Sequence, residues 1–462
     1  MTISQSWAAY PPTYRAREMK ILSNWIVSGE SGSVVGLNGC GRANLLSFLC
    51  YRPEVLQTYL APQIKRVALI PIDLNNLPAN DLSTLYRVIL RSFYRVCDQF
   101  EPTLQQKITD FYHETRAQQD PFLAQSGLQD LLLVFQAEQF KVVLVLNRFD
   151  VFCQVATLQM VNTLRGLRDD FKDTLCYIIG MAQEVAYLPD PTILGDMYEL
   201  VDNYVCWLGA MNEADGRNLI ARATHSATAP PSATEMLTML SLTGGFPALL
   251  RAACQWWLTT DHRPPHSEWS TTLLAELSIQ HRLRKIWVGL TQEEQYILAE
   301  LHKLQPANPR QKFGQQHRPI LIRLAEKGVC NRSETGWCVS GELLASFVAE
   351  VKGRSRGRIW LDDQTGEIYQ GQTLVQNLTA LEQSVLSFLV KRPRIRHTKT
   401  DLIINTWPDE LRQQGVTDNS LYQVVSTIRR EIEPDPTAPS YLINWRGKPE
   451  GGYQFFPEGR PG

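Results

Sequence analysis

The sequence has no apolar run that approaches the roughly 18–20 residues needed by a membrane-spanning helix. Its first residues lack the basic segment and following apolar stretch that are typical of a secretory signal. Nine cysteines are scattered from Cys40 to Cys338 without a C-x-x-C pair, which argues against structural zinc and suits a reducing compartment. We therefore expect a cytoplasmic protein with neither a membrane partner nor a metal site.

Neither sign of charge dominates the chain. The sequence has 46 basic and 47 acidic residues, which give a formal net charge of −1. Any affinity for nucleic acid must therefore come from a local basic patch. The length of 462 residues is sufficient for three or four domains, at about 100–200 residues per domain.

The first part of the chain alternates short β-rich runs with helical stretches. The runs are GSVVGL, RVALIPIDL, KVVLVLNRFD and TLCYIIGMA, and this alternation predicts a parallel sheet covered by helices. From about Gly209 the pattern becomes helical, and Pro247 after Gly244–Gly245 indicates a break followed by a new helix. We predict an α/β domain at 1–208 and a helical lid at 209–280.

Two later stretches share the pattern L-T-x-x-E-Q-x-x-L-x-x-L. They are LTQEEQYILAEL from Leu290 and LTALEQSVLSFL from Leu378. In each copy the Thr and the Glu three residues later have capping-box spacing, which predicts the start of a helix. Each copy precedes another helix-like segment and a turn-rich hairpin sequence. We predict winged helices at 281–350 and 358–462, joined by a basic linker at 351–357.

The segment GLNGCGRANLL has the glycine spacing of a phosphate-binding loop but not its reactive side chains. A P-loop reads G-x-x-x-x-G-K-[ST], in which the Lys reaches the phosphates and the hydroxyl binds Mg²⁺. Arg42 and Ala43 occupy those two positions here, and Asn147 ends a later strand where a carboxylate normally supports the metal. The candidate nucleotide-binding residues are Gly36, Gly39, Gly41, Arg42, Ala43, Asn147 and Asp150.

Each departure removes part of the chemistry of phosphoryl transfer. The planar guanidinium of Arg42 cannot fold into the loop as a compact ammonium does, Ala43 has no oxygen for a metal, and Asn147 is neutral. Because this reaction relies on positioning and charge neutralisation, we expect no enzyme activity and assign no catalytic residue. Three alternatives stay open: a turn that binds nothing, ATP or ADP bound without productive Mg²⁺, and hydrolysis with groups borrowed from a partner.

These motifs together resemble the STAND branch of the AAA-type P-loop ATPases. The resemblance rests on YRARE at Tyr14–Glu18, the glycine loop, the strand ending in NRFD, and the later Gly244–Gly245 with Pro247. It implies a P-loop NTPase-like α/β domain with a helical lid. Because STAND proteins are switches that assemble with partners in signalling and defence, it also implies a protein partner or self-assembly.

The C-terminal segment resembles the OmpR/PhoB-type winged helix of bacterial transcription regulators. The resemblance rests on LT-x-x-E, a Trp after the second helix, the pair Arg429–Arg430, the sequence EPDP, and a wing with RG followed by GY. It implies that the domain binds double-stranded DNA through a recognition helix and a wing.

The predicted recognition helix has an apolar and a polar face. Asp418 is expected to cap a helix that runs to about Glu433. The residues expected to face the core are Leu421, Val425, Ile428 and Ile432. The candidate DNA contacts, on the polar face, the wing and the basic segment KRPRIRHTK, are Asn419, Tyr422, Gln423, Ser426, Thr427, Arg429, Arg430, Arg446, Lys448, Arg396 and Lys399.

The sequence therefore predicts a DNA-binding, transcription-regulator-like protein whose ATPase-like module is an inactive scaffold or a sensor of a ligand or partner. Thr427 and Glu431 stand where the resembled family often has cations, which favours weaker binding or a different sequence preference. A winged helix that binds protein is the alternative for the C-terminal domain. For the whole chain the alternative is a protein-binding subunit or NTP-dependent switch of a STAND-type system.

Overall fold

A computed structural model describes residues 7–60, 66–117, 120–304, 313–333, 336–351, 356–409, 416–447 and 450–462. The chain forms two compact units, which are Met1–Ser241 with Gly245–His266 and Leu242–Gly244 with Ser267–Gly462. Within the described ranges, every helix is too short or too polar to traverse a lipid bilayer.

The first unit is built on a parallel sheet. Its described strands are β1 (Gly32–Val35), β2 (Val67–Asp73), β3 (Lys141–Asn147), β4 (Leu175–Met181) and β5 (Val205–Trp207). They lie in the order β2-β3-β4-β1-β5. Strands β1 and β4 are buried along their whole length, as expected when helices cover both faces. The α/β class and the four predicted strands are confirmed, whereas the three residues of β5 carry too little pattern to be predicted.

Helices connect and cover these strands. They are α1 (Ala16–Ser28), α2 (Arg42–Tyr51), α3 (Pro53–Gln57), α4 (Leu82–Arg95), α5 (Pro102–Thr115), α6 (Pro121–Ala137), α7 (Phe149–Phe152), α8 (Leu158–Asp170), α9 (Met197–Asp202), α10 (Glu213–Ala223), α11 (Ala233–Thr243) and α12 (Pro247–Thr259). Phe93 on α4 and Phe135 on α6 pack in one core with sheet residues such as Ile70 and Leu144. Burial of this apolar area is the main favourable contribution to folding.

The sheet brings three connecting loops to one edge. Val35 at the end of β1 pairs with Met181 at the end of β4, and Leu146 near the end of β3 pairs with Ile179. Because the strands are parallel, the segments that follow β1, β3 and β4 all emerge at their carboxyl ends. Ligands of open α/β sheets bind at this edge.

The second unit begins with helices and a hairpin. The elements are α13 (Trp269–Ala275), α14 (Leu277–Val288), α15 (Gln292–Lys303), α16 (Arg318–Glu326), β6 (Cys330–Ser333), β7 (Gly336–Val339) and α17 (Glu342–Val351). The predicted capping box is present, since Glu294 N–H donates to Thr291 Oγ1 at 3.1 Å and Thr291 N–H donates to Glu294 Oε2 at 2.9 Å. A winged helix consists of helices followed by a hairpin, and this order is present here. The assignment of 281–350 as a winged helix stays a prediction.

The C-terminal part of this unit contains two small antiparallel sheets and further helices. Its elements are β8 (Ile359–Leu361), β9 (Ile368–Gln370), β10 (Thr373–Leu374), α18 (Ala380–Lys391), β11 (Arg396–Thr398), α19 (Lys399–Thr406), α20 (Asp418–Ile432), β12 (Leu442–Trp445) and β13 (Gly452–Phe455). Strands β8 to β10 form one sheet and β11-β13-β12 the other. The second predicted capping box, between Thr379 and Glu382 at the start of α18, is also present.

The last residues of the chain run back across the start of α15. Glu293 N–H donates to the Glu458 carbonyl at 2.9 Å, and Gly462 N–H donates to the Val288 carbonyl at 3.0 Å. The Glu458 carboxylate accepts from the Arg394 guanidinium, with Nη2 at 2.8 Å. Helices α14 and α15 are therefore joined to the C-terminal domain through hydrogen bonds as well as chain connectivity.

Candidate functional site

The glycine-rich loop follows β1 and leads into α2. Gly39 and Gly41 both have φ near +90°, a conformation that side-chain-bearing residues rarely adopt. A Cβ on Gly36 would lie 2.6 Å from Cys40 Sγ and 2.6 Å from the Leu208 carbonyl oxygen. All three glycines are therefore required by the path of the loop. Helix α2 begins without a side-chain cap, and the N-terminus of a helix is a position at which backbone amides can bind an anion.

Arg42 turns back onto the loop instead of extending from it. Its Nη1 donates to the Gly36 carbonyl at 3.1 Å. A Cβ on Gly180 would lie 3.5 Å from Arg42 Cδ and 3.1 Å from Asn147 Oδ1, which places these two side chains beside the same point of β4. The Asn147 oxygen also accepts the Arg148 N–H at 3.0 Å. Two of the predicted nucleotide-site residues are therefore brought together, and the guanidinium hydrogen-bonds within the protein.

The other predicted residues of this site differ in position and role. Ala43 is exposed on the first turn of α2 and offers only a methyl group. Asp150 lies on α7, is 8% exposed, and its Oδ2 accepts the Ala182 N–H at 3.0 Å. This bond links the segments that follow β3 and β4. The geometry therefore favours a structural role for Asp150 over direct contact with a nucleotide or metal.

Arg15 contacts the glycine loop, although sequence reasoning did not single it out. Its side chain is almost completely buried, and its φ of 51° is left-handed. Nη2 donates to the carbonyls of Cys40 and Gly209, both at 3.0 Å, and Nη1 donates to the Ala210 carbonyl at 2.9 Å. One guanidinium therefore ties the N-terminal segment to the loop and to the segment after β5. The only sequence signal was its position within YRARE.

Helix α12 also packs directly on the loop. Ala248 N–H donates to the Gly39 carbonyl at 3.1 Å, and a Cβ on Gly39 would lie 2.5 Å from Ala248 Cβ. A Cβ on Gly41 would lie 3.7 Å from Pro247 Cγ. The predicted helix start at Pro247 is confirmed, and it gives the segment after Gly245 a definite role in covering the loop.

Helix α20 is capped by the residue before the predicted one. Thr417 is the N-cap, and its Oγ1 accepts the Ser420 N–H at 3.3 Å. The prediction that Asp418 caps the helix was wrong by one residue, because Asp418 is the first helical residue and its carboxylate pairs with Lys399. The predicted core face is confirmed, since Leu421, Val425, Ile428 and Ile432 are all at most 2% exposed.

The opposite face of α20 is a continuous exposed stripe. At about 100° per residue, five polar or amphipathic side chains fall within one arc of roughly 100° opposite the buried face. All five are exposed, and they are Asn419, Tyr422, Gln423, Ser426 and Arg430. Thr427 lies to one side of the arc, and its hydroxyl donates to the Gln423 carbonyl at 3.2 Å. We call the five residues the α20 stripe.

Arg429 is held inside the domain. Its Nε and Nη2 donate to the Leu442 carbonyl at 3.0 and 2.6 Å, and Nη2 also donates to Asn444 Oδ1 at 2.6 Å. Burial lowers the pKa of Arg429. The geometry favours a structural link between α20 and β12 over the DNA contact predicted from the sequence.

A buried carboxylate fixes the turn that follows α20. Glu433 has no exposed surface, and its oxygens accept the backbone N–H groups of Ser440 at 2.7 Å, Tyr441 at 3.0 Å and Leu442 at 2.8 Å. Burial raises the pKa of Glu433, and these hydrogen bonds act in the opposite direction. The end of the helix and the start of β12 are thereby held together.

The remaining predicted basic contacts surround the hairpin. Lys399 pairs with Asp418 and lies 5.0 Å from the Tyr422 ring centroid; its hydrogen bond to Asp418 raises the pKa of Lys399. The Arg396 guanidinium lies 5.5 Å from the Trp445 ring. Arg446 is exposed after β12. Lys448 lies outside the described residues.

We predict that Arg429→Ala lowers the free energy of unfolding by about 2 kcal/mol, because it removes charged hydrogen bonds and leaves the Leu442 carbonyl without these donors. Arg430→Ala, its matched control on the adjacent exposed position, should change stability by less than about 0.5 kcal/mol. Chemical denaturation of the two full-length variants measures both values. Equal losses would contradict the division of roles between these two arginines.

Comparison with known proteins assigns the C-terminal domain. Residues 372–455 match the family model described as "Transcriptional regulatory protein, C terminal". No curated protein sequence matches the chain. The DNA-binding domain of the response regulator AdeR, solved with an intercistronic region, is 25% identical over 21% of this chain and 93% of its own, with a TM-score of 0.18.

The first part of the chain is similar in structure to archaeal proteins. Aeropyrum pernix ORC2, solved in ADPNP and ADP complexes, is 16% identical over 74% of this chain and 94% of its own, with a TM-score of 0.39. A Walker-type ATPase of Pyrococcus abyssi is 13% identical over 73% of this chain and 98% of its own, with a TM-score of 0.41. At these scores the likeness supports no statement about function.

The architecture of the two units follows from their described elements and from the family match. The first unit has a parallel sheet in which strand, glycine loop and helix follow in P-loop order. The second ends in the domain that the family model covers, with α20 and the β12–β13 hairpin in it. The chain therefore combines a parallel α/β fold, in which strand, glycine loop and helix follow in P-loop order, with a C-terminal winged-helix domain that matches the transcriptional-regulator family.

Proposed function

We propose that the protein is a DNA-binding regulator that reads duplex DNA with the α20 stripe and the β12–β13 hairpin. The observation that supports this most directly is the exposed stripe itself, in a domain that matches a transcriptional-regulator family. A polar stripe on one helix, backed by an apolar face in a rigid core, suits insertion into the major groove.

The residues of the α20 stripe and the basic residues beside it suit different kinds of contact with DNA. The amides of Asn419 and Gln423 can each donate and accept, as adenine recognition in the major groove requires. Arg430 and Arg446 are exposed and suit phosphate contact, which gives affinity without sequence information. Lys399 is paired with Asp418, so its contribution to DNA binding requires that this pair open.

We further propose that the first unit does not hydrolyse nucleotide and serves as a scaffold or as a sensor of a ligand or partner. The loop lacks the Lys and the hydroxyl that hold phosphate and Mg²⁺. The Arg42 guanidinium donates a hydrogen bond to the Gly36 carbonyl of the loop, and the Arg15 guanidinium donates one to the Cys40 carbonyl. These internal bonds oppose the rearrangement that a bound triphosphate would require.

One feature favours a second candidate, in which nucleotide binds without turnover and acts as a switch. Helix α2 begins at Arg42, and its N-cap, Gly41, has no side chain that could accept from the amides of the first turn. Free amides at a helix start attract phosphate. This candidate requires movement of Arg42, and a protein partner or self-assembly would then read the bound state.

For DNA binding, we predict that Arg430→Ala and Arg446→Ala weaken affinity of the full chain for every duplex and each reduce the salt slope by about one. Gln423→Ala should cost about 1–3 kcal/mol on the preferred site alone, because it removes a base contact. Binding is measured across salt concentrations on duplexes obtained by selection from random sequence. Arg217→Ala, which removes a half-buried positive charge paired with Glu213 in the first unit, is the control.

The DNA proposal fails if the full chain shows no salt-dependent affinity for any selected duplex at low salt. It also fails if Arg217→Ala weakens binding as much as Arg430→Ala does. Either result would instead favour the C-terminal domain as a surface for protein.

For catalysis, we predict that the full chain hydrolyses ATP and GTP no faster than its Gly41→Trp variant in the presence of Mg²⁺. Trp at this position cannot adopt the left-handed φ without strain and would obstruct the loop, so it removes any loop-dependent turnover. Phosphate release measures the rate. Mg²⁺-dependent hydrolysis that is present in the unmodified chain and absent from Gly41→Trp would overturn the proposal.

A further inference from the structure

A cavity of about 520 Å³ lies within the second unit. It is bounded by the end of α14, the start of α15, the loop between α20 and β12, and the final residues of the chain. Apolar groups form much of its wall, including Val288, Pro434, Pro439 and Ile443, and Asp435 also lines it. Its size is that of pockets which bind small organic molecules.

One guanidinium in this wall has no counterion among the described residues. Arg460 is anchored by its backbone N–H, which donates to the Ser440 carbonyl at 2.7 Å. Its side-chain Nε is buried and has no hydrogen-bond partner in the described parts of the chain. Arg460 is half-buried, and this burial lowers the pKa of its guanidinium. A partly desolvated cation with an unpartnered N–H is stabilised when an anion accepts from it.

The same wall holds an unsatisfied acceptor. Gln292 Oε1 is buried and lacks a donor among the residues that the structure describes. Gln295, by contrast, donates its amide to the carbonyls of Trp287 and Leu290, at 2.9 and 3.1 Å. The cavity thus combines a guanidinium donor, one free amide oxygen and a largely apolar wall, with the Asp435 carboxylate at the wall accepting from Thr437 N–H at 2.9 Å.

From this combination we infer that the cavity binds a small organic anion, with a carboxylate or phosphate on Arg460 and an apolar body against the wall. A hydroxyl or N–H group on the same molecule would satisfy Gln292. Planar, charged hydrogen bonds to the guanidinium supply both affinity and orientation.

The cavity lies next to the turn that precedes β12 of the proposed DNA-binding surface. The link between the cavity and DNA binding therefore rests on the proposed function. The wall of the cavity includes Ser440, whose N–H donates to Glu433 at 2.7 Å. The bound anion would therefore contact the turn that fixes α20 to β12. A ligand that stiffens this turn changes the affinity of the protein for DNA if the ligand binds the DNA-free and DNA-bound protein with different affinities.

The test uses benzoate and phenyl phosphate as probes on the full chain, with binding measured by calorimetry and stability by thermal unfolding. Both probes should raise the melting temperature of the unmodified protein and of Arg332→Gln, an exposed arginine used as the control. Arg460→Gln should raise the Kd for each probe at least tenfold, which corresponds to the loss of a charged hydrogen bond. Ala438→Trp, which fills the cavity and keeps the guanidinium, should also abolish binding.

A structural role for Arg460 makes a different prediction. If the guanidinium were a stabilising contact, Arg460→Gln would lower the melting temperature without any probe, whereas an uncompensated cation predicts no decrease. Failure of both probes to bind, or equal binding by Arg460→Gln, overturns the inference. Probe binding in a protein that has no affinity for duplex DNA would uphold the cavity and reject only the proposed function.

Discussion

The buried carboxylate of Glu433 is the constraint on which the DNA-reading surface depends. By accepting three consecutive backbone N–H groups from 440–442, it fixes the angle between the end of α20 and the start of β12. Arg429 adds a second link a few residues away by donating to the Leu442 carbonyl. Because the helix and hairpin are tied in this way, the α20 stripe and the wing can present their side chains as one preorganised surface.

The glycine loop of the first unit shows a comparable use of internal hydrogen bonds. Arg42 and Arg15 donate to backbone carbonyls of the loop, and α12 adds the N–H of Ala248. In a working P-loop, the backbone N–H groups of the loop hold the phosphates. Here three hydrogen bonds from the protein to the loop carbonyls fix the path of the loop without a bound phosphate.

Local patterns in the sequence were sufficient to predict the elements whose causes are local. Both capping boxes and the buried face of α20 follow from spacing within a few residues, and the strands follow from short β-rich runs. The N-cap of α20 was misplaced by one residue because Thr417 and Asp418 are both good caps. The sequence alone did not distinguish between them.

Contacts between distant parts of the chain could not be predicted in the same way. Arg15 reaches Gly209 and Ala210 across almost 200 positions, with separations of 194 and 195 residues. The Arg429–Arg430 pair of the resembled family predicts that Arg429 contacts DNA, whereas its guanidinium donates to Leu442 and Asn444 of β12. The Arg460 cavity likewise depends on how α14, α15 and the end of the chain meet. Such roles are properties of the tertiary arrangement.

Hydrogen–deuterium exchange of the full chain, with and without a selected duplex, tests the central claim most directly. If this surface binds DNA, exchange should slow in α20 and in the segment that joins β12 to β13, with the glycine loop of the first unit unchanged. Protection confined to the first unit, or a duplex-bound protein in which α20 and the hairpin exchange as before, would contradict the claim that this surface reads DNA.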